Sequence, residues 1–143
     1  MGDNQSAEWG ILRFTSPIIG FLRRHYRWMA IVGLLFWLIA IAVLSLLPFR
    51  SIAFLSPSLS DYITHFIAYA VGGVLAGLWF RHFIVSWVVV TAIGTLIEFG
   101  QTWMGTGRSS ELAEGVANGM GALIGVAIAV GLRLAGHWLE KRR

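Results

Sequence analysis

The run WMAIVGLLFWLIAIAVLSLL, residues Trp28–Leu47, contains no charged side chain. About 20 apolar residues, each rising about 1.5 Å along a helix, cross the hydrocarbon core of a bilayer. Pro48 follows the run directly, and a proline inside a helix removes a hydrogen bond and clashes with the preceding turn. The run therefore predicts a membrane-spanning helix that ends before Pro48.

The composition extends this prediction to the whole chain. Of its 143 residues, 57% are hydrophobic and only 13% are charged, whereas a soluble domain carries about 25% charged residues. Too little polar sequence remains for a separate soluble domain. The chain has no cysteine, which excludes disulfides and thiolate metal sites. We expect an integral membrane protein that forms one unit.

Three further apolar stretches are long enough to cross a membrane. The pair Arg81 and His82 separates the second stretch from the third, which predicts an antiparallel helical hairpin. The predicted spans run from about Asp61 to Phe80, from Phe83 to Trp103 and from about Glu111 to Leu134. The predicted fold class is all-α, an integral membrane bundle of four transmembrane helices.

The bundle is predicted over residues 28–135, between a basic segment at 1–27 and a basic tail at 136–143. The first segment mixes bulky apolar residues with arginines, which suits a segment lying on an anionic membrane surface. A disordered basic tail that only fixes the topology is the alternative. We expect the first span to be retained, because its apolar run exceeds the about 7–15 residues of a cleaved signal core.

The basic residues predict the orientation of the chain. Nine of the 11 Lys and Arg lie in the N-terminal segment, at Arg81 and in the C-terminal end, and only Arg50 and Arg108 lie on the other face. Because short cytoplasmic loops carry the excess of Lys and Arg, both termini are predicted to be cytoplasmic. The net charge of +4 is thus a topology signal, and no nucleic-acid partner is predicted.

This threading brings polar residues of three helices to one outer depth. Within each helix they are three or four residues apart and so share a face, and ionisable groups in a span normally face the interior of the bundle. One outward-facing site is predicted. The stripes are Asp61, His65 and Tyr69; Glu98 and Gln101; and Glu111, Glu114 and Asn118.

Four of these residues are candidate catalytic groups: Asp61, His65, Glu98 and Glu114. His65 with Asp61 one turn away has the form of an oriented acid/base pair, although Asp61 would also serve in a capping box at the start of helix two. Glu98 lies near the C-terminal end of helix three, where the helix dipole disfavours negative charge, and needs a partner or a proton. Glu111 is explained by the dipole at the start of helix four.

The candidate substrate-binding residues are Tyr69, Gln101, Arg108 and Asn118. The planar guanidinium of Arg108 suits phosphate or carboxylate, and a clamp onto Glu98 or Glu114 is the alternative. Gln101 and Asn118 would otherwise only bond neighbouring helices. Three glycine pairs predict close helix approach: Gly73/Gly77, Gly115/Gly119 and Gly121/Gly125.

No cofactor and no metal are predicted. His65, Glu98 and Glu114 have the residue types of a two-carboxylate, one-histidine set, but the sequence has neither H-x-x-x-H nor H-E-x-x-H. It also lacks a nucleotide-binding loop and a nucleophile elbow.

Three motifs together resemble the VanZ-like family of membrane proteins: DYITHFIAYAVGG from Asp61, GTLIEFGQ around Glu98, and GRSSELAEGVANGMGALIG from Gly107. The likeness covers about two thirds of the chain. Two positions depart from the family pattern, since Tyr62 stands where the family usually has lysine and Glu114 where it usually has aspartate. The first departure removes a charge, and the second keeps the carboxylate.

The resemblance implies a small protein of the bacterial inner membrane, with low-level glycopeptide (teicoplanin) resistance in the founding member. It implies no particular reaction. The first functional hypothesis is an enzyme acting on a lipid-linked phosphate or peptidoglycan precursor. The second is a module that binds membrane lipid headgroups or a partner protein, and a transporter is weaker because no broken inverted repeat is visible. The oligomeric state stays open.

Overall fold

The computed structural model describes residues 4–46, 57–103 and 112–142. These residues form four helices and no strand: α1 (Asn4–Leu46), α2 (Pro57–Phe80), α3 (Phe83–Trp103) and α4 (Leu112–Lys141). Each of the four is long and apolar enough to cross a membrane. The prediction of an all-α chain with four such helices is thereby confirmed.

The bounds of α3 agree with the predicted span, but α1, α2 and α4 are longer than predicted. α1 begins at Asn4 because arginine, leucine and isoleucine are acceptable helix formers even where the apolar run stops. The backbone of residues 4–27 is therefore helical and continuous with the span. α4 continues to Lys141, which lies in its last turn, where the helix dipole favours a basic residue.

α2 lies at the centre of the bundle and packs against the other three helices, most closely against α4. Two of the predicted glycine pairs explain this close approach. A methyl group at Gly121 would overlap the carbonyl oxygen of Phe66, and one at Gly125 would overlap that of Ala70. On α2, a methyl group at Gly73 would overlap the carbonyl oxygen of Ala122. The backbones of α2 and α4 are thus in direct contact.

The third glycine pair faces α3 at ordinary distances. A Cβ at Gly115 would lie 3.6 Å from Oε2 of Glu98, and one at Gly119 would lie 3.7 Å from Cγ2 of Thr91. Close backbone approach is therefore confirmed for the Gly73/Gly77 and Gly121/Gly125 pairs alone.

Side-chain hydrogen bonds to backbone carbonyls fix the rotation of the helices about their axes. The indole of Trp37 in α1 donates to Ala68 O in α2 at 2.8 Å. The indole of Trp87 in α3 donates to Gly119 O in α4 at 3.0 Å. A buried indole N–H usually has such a partner, and here each partner is on another helix, so the faces that form the site are set by these contacts.

The two-residue connection between α2 and α3 forms the turn of the predicted helical hairpin. Arg81 has a φ of 63°, in the left-handed region that costs a residue with a Cβ about 1–2 kcal/mol. The hydroxyl of Ser86 donates to His82 O at 2.8 Å and approaches Ala76 O at 3.3 Å. These contacts hold the start of α3 against the end of α2.

Candidate functional site

Four side chains from three helices form what we call the polar cluster: His65 of α2, Glu98 of α3, and Glu114 and Asn118 of α4. Glu98 and Glu114 are each 9% exposed and Asn118 is 1% exposed. They come together because α2 and α4 start, and α3 ends, at the same end of the bundle. The convergence expected from the helical spacing is present for these four residues.

A chain of hydrogen bonds crosses the three helices through Asn118. Its Nδ2 donates to Oε1 of Glu98 at 2.6 Å, and its Oδ1 lies 3.0 Å from Nδ1 of His65. Because an amide oxygen only accepts, Nδ1 of His65 carries the hydrogen. In the neutral imidazole, the other ring nitrogen, Nε2, then keeps its lone pair.

Glu114 completes the cluster without joining this chain. One carboxylate oxygen each from Glu98 and Glu114 and one ring nitrogen of His65 lie within 4.8 Å of one another. Among the residues that the structure describes, the Glu114 carboxylate has no hydrogen-bond or ion-pair partner. Two charged carboxylates this close repel each other, and a cation or a shared proton between them would remove the repulsion.

Aromatic rings form one wall of the cluster. The ring of Tyr69 lies parallel to the imidazole of His65, with an interplanar angle of 4° and centroids 6.4 Å apart. Trp37 packs edge-on against Tyr69 at 5.6 Å. A methyl group at Gly94 would lie 2.8 Å from Cε1 of Tyr69, so only glycine leaves room for this ring. Tyr69 is 2% exposed and supports His65, while its proposed contact with a substrate stays a prediction.

Gln101 lies one turn after Glu98 and is buried. Its Nε2 donates to Ser45 O at 2.6 Å. Ser45 belongs to the last turn of α1, where backbone carbonyls have no partner within the helix. Gln101 thus joins α3 to the end of α1, and its predicted role toward a ligand stays a prediction.

Asp61 is not part of the hydrogen-bond chain. It is partly exposed, and within the described ranges no hydrogen bond joins it to His65. Asn118, reached across the helix interface, takes the position at Nδ1 that the i, i+4 spacing had suggested for Asp61. α2 also begins at Pro57, so Asp61 lies beyond the first turn. Arg108 and Glu111 lie outside the described residues.

An apolar groove runs between α2 and α4 over the same turns that carry the polar cluster. It has a volume of about 700 Å³. Its lining is almost entirely apolar: Tyr62, Ile63, Phe66, Leu112, Ala113, Val116, Ala117 and Met120.

The basic side chains that the structure describes lie toward the other end of the bundle. Arg27 lies over the ring of Trp79, with 5.4 Å to its centroid, and Trp28 lies 6.5 Å from Trp79, near the C-terminal end of α2. Among the described residues, the polar cluster therefore has two carboxylates and no Lys or Arg beside them.

Comparisons of the chain with protein-family models, with curated proteins and with solved structures give no match.

Proposed function

We propose that the chain is a VanZ-like, four-span protein of the bacterial cytoplasmic membrane, with both termini in the cytoplasm. Four helices of spanning length and composition support this, together with the Lys and Arg at the opposite end from the polar cluster. In this orientation the cluster lies near the outer surface of the membrane. A ligand would reach it from the outer leaflet or from the envelope.

The proposed function is action on a lipid-linked, phosphate-bearing envelope intermediate, with an effect on glycopeptide susceptibility. The observation that carries it is the buried hydrogen-bond chain from His65 through Asn118 to Glu98, with Glu114 beside it. Ionisable groups inside an apolar bundle are costly and usually serve a ligand or proton pathway. The neighbouring apolar groove offers a lipid tail a place beside the bundle.

The residues take the following roles in this proposal. His65 exchanges a proton through Nε2, because Asn118 holds Nδ1. Glu98 and Glu114 are the second proton-carrying groups within reach. Arg108, which follows α3 in the sequence, would hold the phosphate. Asp61 acts from the exposed edge of the polar cluster and is not the hydrogen-bond partner of His65.

The test is complementation of a deletion strain challenged with a glycopeptide and with envelope stress. Glu98→Gln keeps the oxygen that accepts from Asn118 but removes the charge and the exchangeable proton. Its matched control is Thr95→Ala, since Thr95 is exposed on the same helix and bonds only Thr91 O of its own helix. At equal membrane levels, Glu98→Gln should lose function while Thr95→Ala retains it. Full function in Glu98→Gln would refute the catalytic proposal.

A second candidate is a binding or interaction module that makes and breaks no bond. The interhelical bonds of Asn118 and Gln101 favour it, because the same residues also suffice to hold helices together. Glu98→Gln separates the two candidates, since a binding module tolerates the neutral isostere and an acid/base enzyme does not.

A further inference from the structure

We propose that the side chains of His65, Glu98 and Glu114 bind one divalent transition-metal ion such as Zn²⁺. The three donor atoms come from α2, α3 and α4 and lie within 4.8 Å of one another. Bonds of about 2.0–2.2 Å to one ion require donor atoms roughly 3–3.5 Å apart. Binding one ion would require rotations of the two glutamate side chains that close this difference.

The imidazole of His65 is already oriented as a metal ligand. A metal-bound histidine normally donates its other ring N–H to an oxygen acceptor, which fixes the tautomer and the ring. Nδ1–H of His65 has such an acceptor in Oδ1 of Asn118 at 3.0 Å, and the parallel ring of Tyr69 supports the same orientation. In the neutral imidazole, Nε2 is then the ring nitrogen left to bind a cation.

Asn118 orients the first carboxylate as well. Its amide donates to Oε1 of Glu98 at 2.6 Å, which leaves Oε2 as the oxygen free to bind an ion. Oε2 lies against Gly115, where a Cβ would be 3.6 Å away. One buried asparagine thus positions two of the three ligands, as the outer shell of a metal site does.

Glu114 independently indicates a cation. Its carboxylate is 9% exposed and points to the other two donors, and it has no partner among the described residues. A buried carboxylate normally has a hydrogen-bond or charged partner. A divalent ion would supply that partner and would also remove the repulsion from Glu98.

The donor set selects the kind of metal. One imidazole nitrogen and two carboxylate oxygens suit Zn²⁺, Mn²⁺ or Fe²⁺, whereas Cu⁺ favours sulfur ligands and Mg²⁺ favours oxygen ligands and water. Three protein ligands leave a coordination position open, as in catalytic zinc sites, where bound water loses its proton near neutral pH. With the ion bound, Nε2 of His65 would be a ligand, and the metal-bound water would take the proton-exchanging role that the proposed function gives to His65. The cation would also attract a phosphate that two carboxylates alone repel, so the inference deepens the proposed function and rests on it for the substrate alone.

The experiment measures metal binding by the full chain in detergent, without any lipid substrate. The protein is stripped with a chelator and titrated with Zn²⁺ and, separately, Mg²⁺ by calorimetry, and bound metal is counted by mass spectrometry. The variants are His65→Gln, Glu98→Gln and Glu114→Gln. His82→Gln, in the exposed α2–α3 connection, controls for loose binding by histidine.

We expect one Zn²⁺ per chain and weak Mg²⁺ binding. Each cluster variant should weaken Zn²⁺ binding at least about 100-fold, because a first ligand contributes more than the 10–100-fold of an outer-shell residue, and His82→Gln should bind like the wild type. A wild type without stoichiometric Zn²⁺, or cluster variants that bind it unchanged, would overturn the site.

Folding is checked by the melting temperature of each metal-free variant. Glu114→Gln should melt at or above the wild-type temperature without metal, because it removes the repulsion between carboxylates, and should lose the rise that Zn²⁺ gives the wild type. A Glu114→Gln variant that melts higher with Zn²⁺, as the wild type does, would contradict the proposal.

Metal binding with full complementation by Glu98→Gln would refute the proposed function alone, and no metal binding with failed complementation would refute the metal site alone.

Discussion

Replacing Gly125 by alanine tests the contact that holds the bundle together. The added methyl group would overlap the carbonyl oxygen of Ala70 and would lie 2.9 Å from the carbonyl carbon of Ala70 and 2.9 Å from the amide nitrogen of Val74. All three atoms belong to the backbone of α2 and have no rotamer that moves them away. α2 and α4 must therefore separate by roughly 1 Å to reach ordinary contact.

The expected cost follows from the packing. Overpacking of this kind costs about 1–3 kcal/mol, and a gap of this size forfeits a quarter to a half of each neighbouring dispersion contact. Alanine returns up to about 1 kcal/mol through its helix propensity. We expect a net loss of about 2 kcal/mol, which for a chain of this size lowers the melting temperature by about 4–8 °C.

The assay is thermal unfolding in detergent, followed by tryptophan fluorescence. Gly131→Ala is the matched control, because nothing lies within 4 Å of a Cβ at that position of the same helix. It should melt at or slightly above the wild-type temperature. If Gly125→Ala were as stable as Gly131→Ala, the direct backbone contact between α2 and α4 would be refuted.

Three further predictions concern the hydrogen-bond chain, the topology and the connection. Asn118→Ala should lower the free energy of unfolding by about 2–4 kcal/mol, because it leaves the buried Glu98 and the partly buried His65 without their partner; a loss below about 0.5 kcal/mol in denaturant titration would contradict the hydrogen-bond chain. The protein has no native cysteine, so Ser109→Cys should react with an impermeant maleimide in intact cells and His82→Cys only after permeabilisation, and the reverse pattern would refute the orientation. Arg81→Gly should raise the free energy of unfolding by up to about 1 kcal/mol, because glycine relieves the φ of 63°; a lower melting temperature would show that this conformation carries no strain.

The glycine-mediated contact also has a consequence for the site. In a membrane, helix association depends on close van der Waals packing and interhelical hydrogen bonds, because lipid is as apolar as the side chains. The contact through Gly121 and Gly125 sets the distance between α2, which carries His65, and α4, which carries Asn118. A variant that separates these helices should therefore destabilise the bundle and also weaken the 3.0 Å contact of His65 with Asn118.

The sequence by itself determined the all-α fold class, the four helices of membrane-spanning length and the ends of most helices. Apolar runs of spanning length are local properties, and Pro48 and the Arg81–His82 break interrupt them at definite residues. The start of α1 was missed, because the apolar run ends near Trp28 whereas helix propensity continues to Asn4. Helical spacing also indicated which residues share a face, since that depends on the 3.6-residue period alone.

Only the tertiary structure decided which polar groups meet. Spacing within α2 paired His65 with Asp61. The rotation of α2 against α4 instead places Nδ1 of His65 in hydrogen-bond contact with Asn118. The sequence motifs typical of metal binding place two ligands on one helix, whereas the three candidate donor atoms here come from three helices. A periodic pattern fixes directions around one helix axis, but the neighbour in that direction depends on packing between helices, and here backbone contact at glycines sets that packing.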